Sequence, residues 1–368
     1  MTTSIGGTTG ITFNDASVQN TAATEFGFKN RIINGAMVID QRNAGASVTV
    51  GAGSFIYTLD RFSAYQSQAS KYSVQQNAGA VTPPAGFINY LGVTSLSAYS
   101  VTANNLFMLN QPIEGLNVAD LAWGTASAAT VTLSFRVYSS LTGTFGGSIV
   151  NSASNRSYPF TYSVPTANTW TTIAITIPGD TSGTWLTTNG DGMNVSFSLG
   201  MGSTYSGTAG AWAGTQYWSA TGAVSVVGTS GATFYITGVQ LEKGSTATSF
   251  DYRPYGTELL LAQRYFAKIS ASAIYSGFGN GLLTGATTGS FISKLPVTFR
   301  SGPTVSILNL AAYDGVSIIP ITALGATYTG TDFVYQDFSV ASGGTTSRPI
   351  SVIANATANA FLTFSAEI

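Results

Sequence analysis

The chain contains no cysteine and no histidine. Without cysteine there are no disulfides to lock the fold and no thiol nucleophile. Without histidine there is no histidine-based triad, and the two absences together remove the usual zinc ligand sets. Carboxylates, lysine, tyrosine and serine are left to do any chemistry. Charge is also scarce: 8% of the residues are charged and the net charge is −1, against about 25% charged residues in an ordinary soluble protein. With no basic run to neutralise phosphates, nucleic acid is not an expected partner. No run of about 20 apolar residues occurs, so no membrane insertion is expected. The opening Met1-Thr2-Thr3-Ser4-Ile5-Gly6-Gly7 lacks the basic start and apolar core of a secretory signal.

What is present points to strands. The chain has 368 residues, 42 of them glycine, and aromatics make up 12%. That length supports two or three domains with a sizeable core. Abundant Thr, Val, Ile, Tyr and Phe between glycine turns predict an all-β protein. Val131, Leu133, Phe135 and Val137 alternate with Thr132, Ser134, Arg136 and Tyr138. Ile173, Ile175 and Ile177, and then Val195, Phe197, Leu199 and Met201, repeat the pattern. Period two with one apolar face means half-buried antiparallel strands. Separated by turns such as Pro178-Gly179-Asp180 and Asn189-Gly190-Asp191-Gly192, they fit a two-sheet sandwich over residues 29–252. Periodicity alone leaves a jelly roll and other sandwiches open. Residues 269–368 predict a second, smaller sandwich, with strands at Leu295–Phe299, Thr304–Leu308, Ser317–Thr322, Phe333–Val340, Pro349–Ile353 and Ala360–Ala366. No repeat of 20–50 residues is evident, which disfavours propellers and solenoids.

Between the two lies the stretch Gly238–Phe266, GVQLEKGSTATSFDYRPYGTELLLAQRYF. Arg253-Pro254 should be extended. Thr257 is placed to cap the one convincing helix, with Glu258 in its first turn. Leu259, Leu260, Leu261, Ala262, Tyr265 and Phe266 leave this helix little polar face, so it should be buried, against neighbours or against copies of itself.

The same stretch strongly resembles a segment of tail-fibre and receptor-binding proteins of tailed bacteriophages. Three further blocks resemble that family in the same order: Asn30–Gly35 with Gln41-Arg42, Tyr57–Phe62, and Gln111–Gly115 leading to Thr132–Phe135. The chain departs from the family pattern at Phe62 and Arg136 (often Trp), Asp251 (often Glu) and Ala262 (often Cys). The resemblance implies a jelly roll like that of carbohydrate-binding modules, a connector at residues 253–268, and a homotrimer. Leu259, Leu260, Leu261, Tyr265 and Phe266 are the expected trimer contacts. It also implies a place in the virion tail, with assembly in the bacterial cytoplasm and release by lysis. Residues 1–28, which resemble the starts of many phage fibres, would attach the protein to a tail or baseplate partner.

Three constellations bear on function. The loop Ser203–Ser219 places Tyr205, Trp212, Tyr217 and Trp218 among small polar residues. Flat aromatic faces can stack on sugars, or the same tryptophans can plug the open end of the sandwich. In the distal domain, Tyr313-Asp314 and Tyr328 with Asp332 pair an aromatic face with a carboxylate in turn-like segments, which predicts the main contact with a host-surface polysaccharide. Asn189–Gly192 with Asp180 matches no calcium loop spacing, and a glycine-flanked turn needs no metal. The fifteen acids are scattered. Neither Asp40 with Asp60 nor Asp332 with Asp337 has a context that makes it a glycosidase pair, and Asp60-Arg61 reads as an ion pair. No catalytic residue, cofactor or metal ligand is assigned. The expected function is multivalent, non-catalytic glycan attachment. A structural decoration protein and a polysaccharide hydrolase are the alternatives.

Overall fold

The structure, a computed structural model, describes residues 28–368 and, before them, three short strands, Ser4–Gly6, Gly10–Thr12 and Val18–Gln19, paired antiparallel in that order. The attachment role expected for residues 1–28 falls largely outside the described residues. The all-β class holds, with one α-helix among the described residues.

The larger unit is a sandwich of two six-stranded antiparallel sheets. The first sheet runs Thr171–Ile177, Val131–Ser139, Thr233–Lys243, Leu91–Ser95, Tyr72–Gln76 and Val48–Thr49. The second runs Ser157–Val164, Gly143–Val150, Asp191–Met201, Leu106–Glu114, Phe62–Gln66 and Ile56–Leu59. The chain changes sheet between most successive strands, which is jelly-roll wiring. The period-two pattern sets what faces inward: Val131, Leu133, Phe135 and Val137 are all fully buried. Across the layer Phe135 meets Phe197 edge-on, with ring centroids 5.1 Å apart, and Tyr162 at 5.0 Å. Such pairs add to the burial of apolar area that drives the two sheets together.

Residues 266–366 form a second core. Six strands close into a barrel in the order Gly277–Leu283, Thr288–Lys294, Phe333–Val340, Ile318–Thr329, Leu310–Tyr313 and Pro349–Ala354. A three-stranded sheet of Phe266–Ser270, Phe361–Ser365 and Thr304–Leu308 stands beside it. The distal domain is thus all-β, but it closes on itself where an open sandwich is expected. Leu295–Phe299 is not a strand. Pro296 interrupts it, and its Leu295 and Phe299 amides donate singly to the carbonyls of Asp332 and Thr331.

The helix spans Tyr255–Gln263, and Pro254, not Thr257, occupies its N-cap position. Glu258 lies in the first turn as expected. It is buried, accepts the Asn34 backbone N–H, and pairs with Arg253 at 3.2 Å. Arg253 also donates to the carbonyls of Asn30 and Ile32. Gly35 passes so close to the strand Thr233–Lys243 that a Cβ there would lie 2.1 Å from the Val239 carbonyl oxygen. Gln111 brackets the Ile33 backbone, accepting from its N–H and donating to its carbonyl, both at 2.9 Å.

One buried polar knot joins the sandwich, the helix and the chain's last residues. Arg61 sits in a two-residue turn at φ 68°, a left-handed conformation that costs a non-glycine residue energy. Its guanidinium, 1% exposed, pairs with Glu367, donates to the Pro112 carbonyl at 2.6 Å and lies 3.7 Å from the Tyr265 ring centroid. Arg42 pairs with the same Glu367 at 2.5 Å and stacks on Phe266. Beside them Glu114 receives two bonds from Arg264 (2.7 and 2.9 Å) and one from the Tyr265 hydroxyl (2.6 Å). Burial pushes the Glu114 carboxyl up, but these bonds and the charges of Arg264 and Arg300 bring it below the ordinary range. Asp60 does not pair with Arg61. It accepts the Gln41 backbone N–H and side-chain amide at 2.7 and 2.9 Å, and burial pushes its carboxyl up to about 6. Tyr265 and Phe266 are consumed in this knot and are not free for a subunit contact.

Glu367→Gln leaves the Arg61 charge buried without its partner. The expected loss is about 3–5 kcal/mol of stability, read from denaturant midpoints. A variant within about 1 kcal/mol of the parent, the range of surface ion pairs, would show that the knot does not bear on stability.

Candidate functional site

The strand Leu106–Glu114 is buried along its whole length. Phe107 and Leu109 face the sandwich core, whereas Leu106 and Met108 face outward under a second cluster with Val150 and Trp218. The cover is the chain after Met201. The Ser196 hydroxyl donates to the Trp218 carbonyl at 3.0 Å, and the Trp218 N–H donates to the Tyr205 carbonyl at 2.8 Å, which pins this segment to the sheet. Gly207 lets it fold tightly: a Cβ there would lie 2.2 Å from the Tyr217 ring.

The cover is incomplete. It leaves a cavity of about 240 Å³ lined by Phe55, Tyr65, Leu106, Met108, Tyr205, Gln216 and Trp218. Leu106, Met108 and Trp218 are buried and make an apolar floor. Phe55 and Tyr65 form one wall, with ring centroids 5.0 Å apart and planes tilted by 49°. The phenol groups of Tyr65 and Tyr205 and the Gln216 amide supply neutral donors and acceptors at the rim. Such a site can bury an apolar face and orient hydroxyls, and its lining holds no carboxylate and no lysine.

Of the aromatic loop, the structure brings Tyr205 and Trp218 together here. Trp212 lies elsewhere, among Trp123 (5.2 Å), Trp185 (5.6 Å) and Tyr158 (5.1 Å), and its indole N–H donates to the Pro178 carbonyl. It plugs the end of the core. Tyr217 packs on Gly207, outside the cavity lining. The distal set is not assembled. Tyr313 pairs with Ile318 at one end of a strand whose other end holds Tyr328, paired with Tyr335. The ten residue steps from Ile318 to Tyr328 rise about 30 Å along the strand. Asp314 is buried in its own turn, accepting the Val316 and Ser317 amides and the Arg348 guanidinium. Asp332 accepts the Thr298 hydroxyl. Tyr313 and Tyr328 remain exposed, and Tyr328 packs edge-on against Tyr335 with ring centroids 5.9 Å apart.

Phe55, Tyr65, Leu106, Met108 and Gln216 line the cavity and are missed by sequence reasoning. A signal does exist: Leu106-Phe107-Met108-Leu109 is apolar on both parities, so both faces of that strand must be covered.

Several other carboxylates among the described residues are committed. Asp180 takes a two-pronged bond from Arg156 at 2.6 and 2.7 Å and one from the Trp185 indole, so its oxygens serve an ion pair. Asp40 caps its own turn through Asn43 and Gly45. Asp251 and Glu258 line a second cavity of about 220 Å³, with Arg253 between them and a backbone N–H on each. Among the described residues no cluster of three or more acids is placed to hold a metal, and no helix is long and apolar enough to cross a membrane.

No protein-family model and no curated protein matches the chain. Among solved structures, a putative sugar-binding protein from Bacteroides thetaiotaomicron is 14% identical over 58% of this chain and 100% of its own, with a TM-score of 0.33. The enzymatically active domain of tailspike protein 4 from bacteriophage CBA120 is 12% identical over 59% of this chain and 22% of its own, with a TM-score of 0.30. A family 11 carbohydrate-binding module from Clostridium thermocellum, solved with a mixed-linked tetrasaccharide, is 12% identical over 56% of this chain and 100% of its own, with a TM-score of 0.28.

Trp212, partly buried against the main core with three aromatic neighbours, and the cavity wall should separate in their effects. Trp212→Ala should cost about 3 kcal/mol of stability, seen as a lower melting temperature. Tyr65→Ala, at the cavity wall, should cost less than about 1 kcal/mol. Equal losses would place Tyr65 in the core and not at a site.

Proposed function

We propose that this protein is a non-catalytic glycan-binding component of a phage tail, which attaches the particle to host surface polysaccharide through many weak sites. The observation that carries the reading is the aromatic cavity on the outer face of the second sheet: Phe55, Tyr65, Tyr205 and Trp218 around an apolar floor, with neutral polar groups at its mouth. Stacking on such faces supplies binding energy, and hydroxyls and amides set orientation. This cavity, in the larger domain, replaces the dispersed distal residues as the proposed contact. The tail assignment rests on the sequence blocks that resemble fibre proteins.

A shallow site of this kind binds weakly, and repetition on an oligomer raises effective concentration. We place the subunit contact on the outward side of the helix. Leu260 is 54% exposed, Tyr255 lies in the open on the same helix, and Leu259 and Leu261 are half covered.

Binding to a panel of purified bacterial surface polysaccharides tests both parts. The intact protein should bind at least one without releasing reducing ends. By analogy with aromatic stacking on bases, the double variant Tyr65→Ala/Tyr205→Ala should bind at least about tenfold more weakly while staying folded. Release of reducing ends would make the protein a hydrolase; undiminished binding by the variant would move the site. Sedimentation should give a trimer for the parent and smaller species for Leu260→Asp, which would bury a charge at the contact. A monomeric parent at micromolar concentration would remove multivalency within the molecule.

A further inference from the structure

If the cavity is a glycan site, as proposed, its lining restricts which sugars it suits. None of the seven lining residues carries a charge. An acidic sugar placed there would lose water around its carboxylate with no cation to replace it, which is costly. The deepest surface is apolar: Met108 is 1% exposed, Trp218 5% and Leu106 8%. A hydroxyl pressed against Leu106 or Met108 would be stripped of water with no partner on either side chain, whereas a methyl group would gain burial; the one polar group of the floor is the Trp218 indole N–H. The other polar side-chain groups of the lining are on Tyr65, Tyr205 and Gln216. At about 240 Å³ the cavity is smaller than the roughly 300–1,000 Å³ of pockets that enclose drug-sized ligands, so it takes one ring and not a chain segment.

We infer that the cavity selects a neutral sugar bearing a methyl group, with the methyl seated on Met108, Leu106 and Trp218 and the ring face against Tyr65. Two kinds of sugar share that chemistry, a 6-deoxyhexose and an N-acetylhexosamine. They differ in that the acetamido group also brings a donor and an acceptor, for which Gln216 and Tyr205 are the available partners.

The test is saturation-transfer and titration NMR on the full chain with five free monosaccharides: rhamnose, fucose, N-acetylglucosamine, glucose and glucuronic acid. At least one methyl-bearing sugar should bind about tenfold more tightly than glucose, the usual worth of one well-buried methyl in a pocket, and glucuronic acid should bind no better than glucose. Preference for rhamnose or fucose identifies the 6-deoxy class. Preference for N-acetylglucosamine, weakened in Gln216→Ala, identifies the acetamido class. Met108→Gln, similar in size but polar, should erase the preference while keeping ring binding. Glucose or glucuronic acid binding as tightly as the methyl-bearing sugars, with that binding lost in Tyr65→Ala, overturns the selectivity and leaves the glycan site standing. Failure of every glycan, in this panel and among the polysaccharides, overturns both. Because the parent protein alone reports the preference, a misfolded Met108→Gln does not blunt the result.

Discussion

Glu367, one residue from the end of the chain, pairs with two arginines, Arg61 and Arg42, that stand in turns beside the first strands of the sandwich. An arginine as buried as Arg61 cannot give up its charge, so the fold must hold a carboxylate beside it. The C-terminal segment is therefore bound to the front of the molecule, and with it the strand Phe361–Ser365, which is the middle of the three-stranded sheet. The Tyr57 hydroxyl adds a bond to the Ile368 carbonyl at 2.9 Å. Through Tyr265, stacked under Arg61 and bonded to Glu114, the helix joins the same unit. The segments Asn30–Gly35, Tyr57–Phe62, Gln111–Gly115 and Gly238–Phe266 are distant in sequence and meet here. Their shared role in this chain is architectural.

That meeting explains how a protein with so little charge uses what it has. Arg42, Arg61, Arg253, Arg264, Glu114, Glu258 and Glu367 all lie in the junction, where geometry is fixed by two-pronged bonds and ring stacking. Buried ion pairs of this kind contribute less to net stability than apolar packing would. They add a single way for strand turn, helix and C-terminal tail to fit, since any slip would strand a charge in a dry interior.

The legibility of each element in the sequence depends on how local its signal is. The strands Val131–Ser139 and Thr304–Leu308 are legible because alternation is a property of neighbours. Gly277–Leu283 is not, since GFGNGLL has little strand propensity. It becomes a strand because a Cβ at Gly281 would lie 1.9 Å from the Ser290 carbonyl oxygen, so only glycine permits the pairing. Barrel closure depends on Gly277–Leu283 meeting Pro349–Ala354, and no short window of sequence can see Gly281 pair with Ile350. Leu295–Phe299 misleads for the opposite reason: its apolar residues alternate, but Pro296 denies it a ladder. The helix can be read and its cap cannot, because the Thr257 hydroxyl competes with a chain direction already set at Pro254. Of the candidate site, Tyr205 and Trp218 can be named from their loop. Their partners Tyr65, Leu106 and Met108 come from strands whose other face is core, so by pattern they are ordinary sheet.

The cavity divides along the same line. Its floor comes from Leu106–Glu114, whose opposite parity includes Phe107 and Leu109 in the main core. A change of floor residue is therefore felt by a strand that the whole sandwich needs. The rim residues Phe55, Tyr205 and Gln216 lie outside long strands, in segments that can change without disturbing the layers beneath. A binding protein arranged this way can alter which hydroxyls it recognises through its rim while keeping its preference for an apolar group on the floor. The knot at the other end of the sheet leaves this freedom intact, because its charges bind one another and none of them lines the cavity.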